Sequence, residues 1–139
     1  MTLSWTLHPQ LENDSVPVGD LPLSRVLLAS DANYPWLLLV PRRAGASEII
    51  DLTPADQIAL TGEIAVVCRA LKALTSCDKL NVAALGNVVP QLHVHVIARR
   101  RGDPAWPKPV WGVAPALSYD PAKRERLIAA LRREIWPAK

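Results

Sequence analysis

The sequence is poor in the residues that would mark several classes of protein. Only two cysteines, Cys68 and Cys77, occur among its 139 residues, and they lack the CxxC spacing of a zinc ribbon. Such a pair fits reduced core thiols, and therefore a cytoplasmic protein, better than a disulfide framework. Phenylalanine is absent, so the five tryptophans are left to provide most of the aromatic bulk.

Long apolar runs and concentrated charge are also absent. The longest strongly apolar stretch, residues 36–40, is far shorter than the about 20 residues that cross a membrane. The N-terminus lacks a basic region followed by an apolar run, so no signal peptide is expected. The net charge of +3 permits anionic ligands, but the chain has no extended basic stripe or RNA-binding aromatic motif. We therefore expect neither a membrane nor a nucleic acid as partner.

The balance of the composition is that of a globular chain, with 50% apolar and 21% charged residues. We expect a single domain over residues 1–139, with an N-terminal arm over 1–20 that carries a short helix or an edge strand. Thr53 and Asp120 each precede a proline and an apolar pattern with helical spacing, which predicts two helix starts. The predicted elements are strands at 22–29, 36–40, 79–85 and 90–99, a helix from 54 to near Ser76, and a C-terminal segment, 112–139, whose helix ends at Pro137. This order indicates an α+β fold.

Residues 85–99, LGNVVPQLHVHVIAR, form the most distinctive segment. In an extended strand Gln91, His93 and His95 would point to one face, and the apolar residues between them to the other. Two imidazoles and an amide on one face could bind a small anionic group. The alternative is that the histidine pair lies on the solvent-exposed face of the strand and has no function. A zinc site is a third interpretation, but it needs a further ligand, either His8 or a distant carboxylate. We therefore expect no metal and no cofactor.

Residues 91–97, QLHVHVI, resemble the motif of the histidine triad (HIT) family, His-φ-His-φ-His-φ-φ with φ apolar, with glutamine in the first position. Residues 36–43, WLLLVPRR, resemble the family's strand that ends in proline and basic residues, and 99–111 resembles the segment after the triad. The likeness extends over residues 22–111. It implies a HIT-like antiparallel sheet of about five strands with one long and one C-terminal helix, and a homodimer in which two sheets are joined.

The resemblance also implies a role for each polar residue of the site. His93 would be the nucleophile, with its other ring nitrogen held by a main-chain carbonyl, and His95 would contact the phosphate or act as an acid. Asn87 could donate to the phosphate from the shortened loop before the triad, although an asparagine can equally serve a left-handed turn. Asp31 follows a strand as the family's ribose-binding carboxylate does, although it can instead initiate a turn. Gln91 can hydrogen-bond a substrate but cannot titrate.

These roles predict a metal-independent hydrolase or nucleotidyl transferase that acts through a nucleotidyl-histidine intermediate. Its substrate would be a nucleoside phosphoramidate or a dinucleoside polyphosphate, with a purine base expected. The alternative is a nucleotide-binding or regulatory protein that lost efficient turnover with Gln91 in the first position. The run of arginines at 99–101 could attract polyphosphates, but such a run is more often a solvated edge.

Overall fold

The computed structural model describes residues 4–138, which form one antiparallel sheet and three α-helices. The strands are β1 (Ser15–Asp20), β2 (Ser24–Ala29), β3 (Trp36–Pro41), β4 (Lys79–Ala83) and β5 (Val94–Arg99), and the helices are α1 (Pro9–Asn13), α2 (Pro54–Thr75) and α3 (Pro121–Ile135). The strand order is β1-β2-β3-β5-β4, and neighbouring strands are antiparallel. The predicted α+β fold is therefore confirmed. Residues 1–3 and 139, which belong to the predicted arm and C-terminal segment, lie outside the described residues.

The two faces of the sheet have different partners. On one face, α2 and α3 pack over apolar residues such as Leu39 and form the main core. On the other face, Leu11 of the N-terminal segment packs against Leu38. His95 pairs with Leu38 between β3 and β5, and paired residues project on the same side of a sheet. His95 therefore lies on the face that the N-terminal segment partly covers.

The long helix begins and ends where the sequence predicts. The Thr53 hydroxyl accepts a hydrogen bond from the main-chain N–H of residue 56 at 3.1 Å, and the chain leaves the helix at Ser76 with φ 50°. Glu63 on α2 is only 6% exposed, and a buried carboxylate on this helix was not expected from the sequence. Its carboxylate accepts hydrogen bonds from the N–H groups of residues 23 and 24 at 2.8 and 2.9 Å. The helix thereby holds the start of β2.

The histidine strand is shorter than predicted. β5 begins at Val94 rather than at residue 90, and a loop over 84–93 separates it from β4. Pro90 has no N–H to offer to a strand ladder. The Leu92 N–H donates to the Ala46 carbonyl at 3.0 Å instead of to β4. The predicted alternation nevertheless holds, since the apolar residues between the polar ones lie in the core beneath the helices.

The N-terminal arm contains both of the elements that the sequence offered as alternatives, the short helix α1 and the edge strand β1. The pairing of β1 with β2 is irregular between Pro17 and Gly19. At Gly19 the ring of Trp136, which follows α3, packs so closely that an added Cβ would lie 2.6 Å from it. A side chain at position 19 would therefore have to displace the ring of Trp136.

Cys68 and Cys77 are both free thiols, with Cys77 buried and Cys68 half-buried. Burial raises the pKa of the Cys68 thiol, which favours its protonated form. Among residues 4–138, none of the helices is long and apolar enough to cross a membrane.

Candidate active site

The ring of His93 is held by the main chain of its own loop. Its Nδ1 lies 2.7 Å from the carbonyl oxygen of Gln91. Because a carbonyl can only accept a hydrogen bond, Nδ1 is the donor and carries a proton, and Nε2 of the neutral ring keeps a free lone pair. The same contact is the one that the family resemblance implied for the nucleophile.

The ring of His95 is held in the opposite sense. The indole N–H of Trp36 donates to Nδ1 of His95 at 3.0 Å, so Nδ1 is an acceptor and the proton of the neutral ring is on Nε2. Burial, with a smaller contribution from the neighbouring His93, lowers the pKa of His95 to about 4. His95 is therefore neutral near pH 7, and its Nε2–H is a hydrogen-bond donor.

Two tryptophan rings pack against His95, which lies beside His93. The ring centroids of His93 and His95 are 4.9 Å apart, and Trp111, from the segment after β5, lies 5.0 Å from His95. Trp36 lies 5.6 Å from His95 and 5.7 Å from Trp111. The sequence carried no signal that paired either tryptophan with His95, because both contacts join separate segments of the chain.

A cavity of about 540 Å³ opens beside the histidines, which is within the range of small-molecule sites. Its lining includes Asp31, Trp36, His93 and His95 together with residues of α1 and the loop before the histidines. Asp31 also serves the turn that the sequence offered as an alternative, since its Oδ1 accepts from the N–H groups of residues 33 and 117 at 3.0 and 3.2 Å. The structure therefore brings three of the five predicted site residues to one cavity.

The other two predicted site residues lie apart from that lining. The Gln91 side chain is bonded to the N-terminal segment, with Oε1 accepting from the His8 N–H at 2.8 Å and Nε2 donating to the Thr6 carbonyl at 2.9 Å. Asn87 is exposed. The left-handed residue of its loop is Gly86, with φ 71°, so the interpretation of Asn87 as the left-handed turn residue is wrong. Its role as a hydrogen-bond donor to the phosphate stays a prediction.

His8 was the further ligand that the zinc interpretation could use. Its Nδ1 accepts a hydrogen bond from the Gln10 N–H at 3.1 Å and caps α1. Within the part of the chain that the structure describes, no three or more histidine, cysteine, aspartate or glutamate side chains are grouped so that they could hold a metal ion.

Arg99 is neither a solvated residue nor a free phosphate ligand, and both sequence interpretations are wrong for it. It is 1% exposed, and its guanidinium donates to both carboxylate oxygens of Asp103 at 2.7 and 3.0 Å and to Asn81 at 2.8 Å. Burial raises the pKa of Asp103, but hydrogen bonds from Arg99 and from main-chain N–H groups outweigh it and lower the pKa to about 2. The pair fixes the chain directly after β5. Arg100 and Arg101 are exposed.

The fold and the paired histidines define the class of protein. A family model described as the HIT domain matches residues 10–102, which is more than half of the chain, and the chain belongs to this family. The match begins at α1, earlier than the resemblance over residues 22–111 suggested. No protein with a curated description was matched.

Solved structures of histidine triad proteins are similar over nearly the whole chain. One from Bradyrhizobium japonicum is 61% identical and has a TM-score of 0.95, covering 96% of this chain and 100% of that one. One from Sinorhizobium meliloti is 46% identical with a TM-score of 0.91, covering 94% and 96%. One from Marinobacter aquaeolei is 42% identical with a TM-score of 0.92, covering 95% and 96%.

Proposed function

We propose that the protein is a metal-independent nucleotide hydrolase or nucleotidyl transferase that acts on a nucleoside phosphoramidate or a dinucleoside polyphosphate. The observation that carries the proposal is the 2.7 Å contact from Nδ1 of His93 to the Gln91 carbonyl. A ring held in this way directs the lone pair of Nε2 away from its own loop, which is what a nucleophile towards phosphorus requires.

The reaction has two steps. In the first, Nε2 of His93 attacks the α-phosphorus, a P–N bond forms, and the bond from phosphorus to the leaving amine or phosphate breaks. In the second, water attacks the same phosphorus, and the bond to Nε2 breaks to release a nucleoside monophosphate. The leaving group takes a proton from solvent as it departs, and the water of the second step returns a proton to solvent as its oxygen joins the monophosphate. One water molecule is therefore consumed overall, and the imidazole returns unchanged.

The protonation of His95 supports a contact with the phosphoryl group over a role as acid. With its pKa lowered to about 4, the ring has no proton to give up near pH 7 except the weakly acidic Nε2–H. That N–H can still donate to a phosphoryl oxygen and stabilise the charge that develops there. The remainder of the cavity suits a nucleoside, since Leu38 and Val89 offer apolar surface and Asp31 offers a carboxylate for ribose hydroxyls.

We also propose a homodimer joined through β4. This strand is one edge of the sheet, and the apolar residues on and around it remain exposed, with Val82 and Leu85 both at 48% and Ile50 at 83%. An exposed apolar edge of this kind favours pairing with a second chain. The opposite edge, β1, is less suited to pairing because its register is interrupted between Pro17 and Gly19. The cytoplasmic location stays a prediction from the sequence.

The experiment that tests the enzyme proposal is a single-turnover reaction. The protein is mixed with adenosine and guanosine phosphoramidates and with a dinucleoside polyphosphate, quenched at neutral pH, and examined by intact mass and by chromatography. We expect a nucleotidyl adduct on the wild-type chain, none on His93→Ala, and release of the monophosphate. Nucleotide binding without adduct or release would favour the binding-protein alternative. No binding of any purine nucleotide would overturn both.

A further inference from the structure

Gln91 has two separate attachments in the site. Its main-chain carbonyl accepts from His93, while both ends of its side-chain amide bond to the main chain of the N-terminal segment, at the Thr6 carbonyl and the His8 N–H. These partners are 85 and 83 positions away along the chain. The geometry points to Gln91 as a positioning residue. Its two side-chain hydrogen bonds form a latch that ties the N-terminal segment to the loop over residues 84–93 and so builds one wall of the nucleotide cavity.

The latched segment forms this wall through the short helix α1, which begins directly after His8. Three residues of α1, Gln10, Leu11 and Asn13, line the cavity that also contains His95. α1 has only five residues, and a helix of one turn is not stable by itself in water. It therefore depends on tethers at its ends and on the burial of Leu11 against the sheet.

The amide of Gln91 is already engaged, and this separates positioning from direct substrate contact. At 2.8 and 2.9 Å its oxygen and one of its two N–H groups each have a main-chain partner, so the N–H and the lone pair that form these two bonds are not available to a substrate. Changing the side chain leaves the Gln91 carbonyl in place for His93. The inference rests on the proposed function for the identity of the ligand. It assigns the side chain of Gln91 a role in nucleotide binding, and its main-chain carbonyl a role in orienting His93 for catalysis.

The test uses the full chain and two substitutions of similar shape. Gln91→Met removes both hydrogen bonds, and Gln91→Glu keeps the acceptor for His8 but sets a carboxylate against the Thr6 carbonyl. Gln57→Met is the matched control, because among residues 4–138 the Gln57 amide bonds only to the Leu52 carbonyl, on another part of the surface. Hydrogen exchange of residues 4–13, the dissociation constant for adenosine and guanosine monophosphate, and the single-turnover rate at saturation are measured for each.

Both Gln91 variants should raise the exchange rate of residues 4–13 and weaken monophosphate binding by about 10-fold, while the saturating rate changes by less than about threefold. The control should match the wild type. Unchanged exchange in both variants, or a loss confined to the saturating rate, would overturn the latch. Exchange of β3 identifies a variant that is globally destabilised, in which case the other variant decides. If the wild type binds no nucleotide, the proposed function fails, and the exchange measurement still decides whether the latch exists.

Discussion

Trp36 donates its indole N–H to Nδ1 of His95 across the neighbouring strands β3 and β5. The two residues are 59 positions apart in sequence, and the contact determines which nitrogen of His95 is free to face a ligand. Since Nδ1 is occupied, the Nε2–H is the donor, while on His93 the Nε2 lone pair is free. The two rings therefore present complementary groups, an acceptor and a donor, with centroids 4.9 Å apart.

Replacing the indole tests this relationship. Trp36→Phe keeps an aromatic ring but removes the N–H, so His95 is free to adopt the other tautomer. We expect the saturating rate to fall by about 10-fold, since a misoriented donor stabilises the transition state less. Nitrogen chemical shifts of His95 measured by NMR should report a mixture of tautomers. The control variant Trp136→Phe, at the far end of α3, should leave both the rate and the shifts unaltered. If the His95 shifts of Trp36→Phe matched those of the wild type, Trp36 would not determine the tautomer of His95.

Alanine substitutions should rank the residues of the histidine segment. His93→Ala should cost on the order of a thousandfold or more, because no other group in the segment can form the covalent intermediate. His95→Ala should cost about 100-fold through loss of one donor to the phosphoryl group. Gln91→Ala should cost about 10-fold, expressed mainly in KM. Steady-state kinetics on variants shown to be folded would measure this, and equal losses at 91 and 93 would mean that the roles are wrongly assigned.

Stability should depend on pH through His95. Its pKa is lowered from 6.5 to about 4 in the folded protein. As the pH falls below 6.5, His95 is therefore protonated in the unfolded chain but stays neutral in the folded one. The free energy of unfolding should therefore fall between pH 6.5 and 4, by on the order of 3 kcal/mol, and the contribution should level off below that. Urea denaturation across this range measures it. His95→Gln, which cannot titrate, should have a flatter profile, and parallel profiles would refute the prediction.

The buried ion pair after β5 should matter more to stability than an exposed one. In Asp103→Asn the guanidinium of Arg99 remains buried without its counter-charge, and we expect a loss of about 3–5 kcal/mol in the free energy of unfolding. The control is Asp56→Asn, which breaks a pair whose Arg43 side chain is 48% exposed and which should cost less than about 1 kcal/mol. Comparable losses in urea denaturation would argue against a structural role for Arg99.

Assembly through β4 predicts the mass of a homodimer by light scattering at micromolar concentration. Val82→Lys introduces a charge at the strand edge and should shift the population to monomer. Val113→Lys adds the same charge at a site of similar exposure, 43%, and should leave the mass unchanged. A monomer mass for the wild-type chain would rule out the assembly.

Local patterns in the sequence were enough to predict the helices α2 and α3 and the presence of β2 to β5, but not that the N-terminal arm holds both a helix and a strand, nor where β5 begins. The threonine and aspartate caps, each followed by proline, gave both helix starts, and the alternation around His93 and His95 identified the face on which the rings lie. Cross-chain contacts could not be predicted in this way, because Gln91 finds its partners in the N-terminal segment and His95 finds Trp36. Arg99 had a visible partner four residues later in Asp103, but nothing in the local pattern indicated that the pair is buried.

The order of the strands divides the site into parts of unequal resistance to unfolding. Trp36 and His95 lie on the adjacent inner strands β3 and β5, with a further strand on each side, whereas α1 is one short turn held at its ends. A short helix such as α1 unfolds locally at a small free-energy cost, whereas central strands unfold only with the whole domain. In mild denaturant the protein should therefore lose its hold on the nucleoside first, while the two rings keep their tautomers until the sheet itself unfolds.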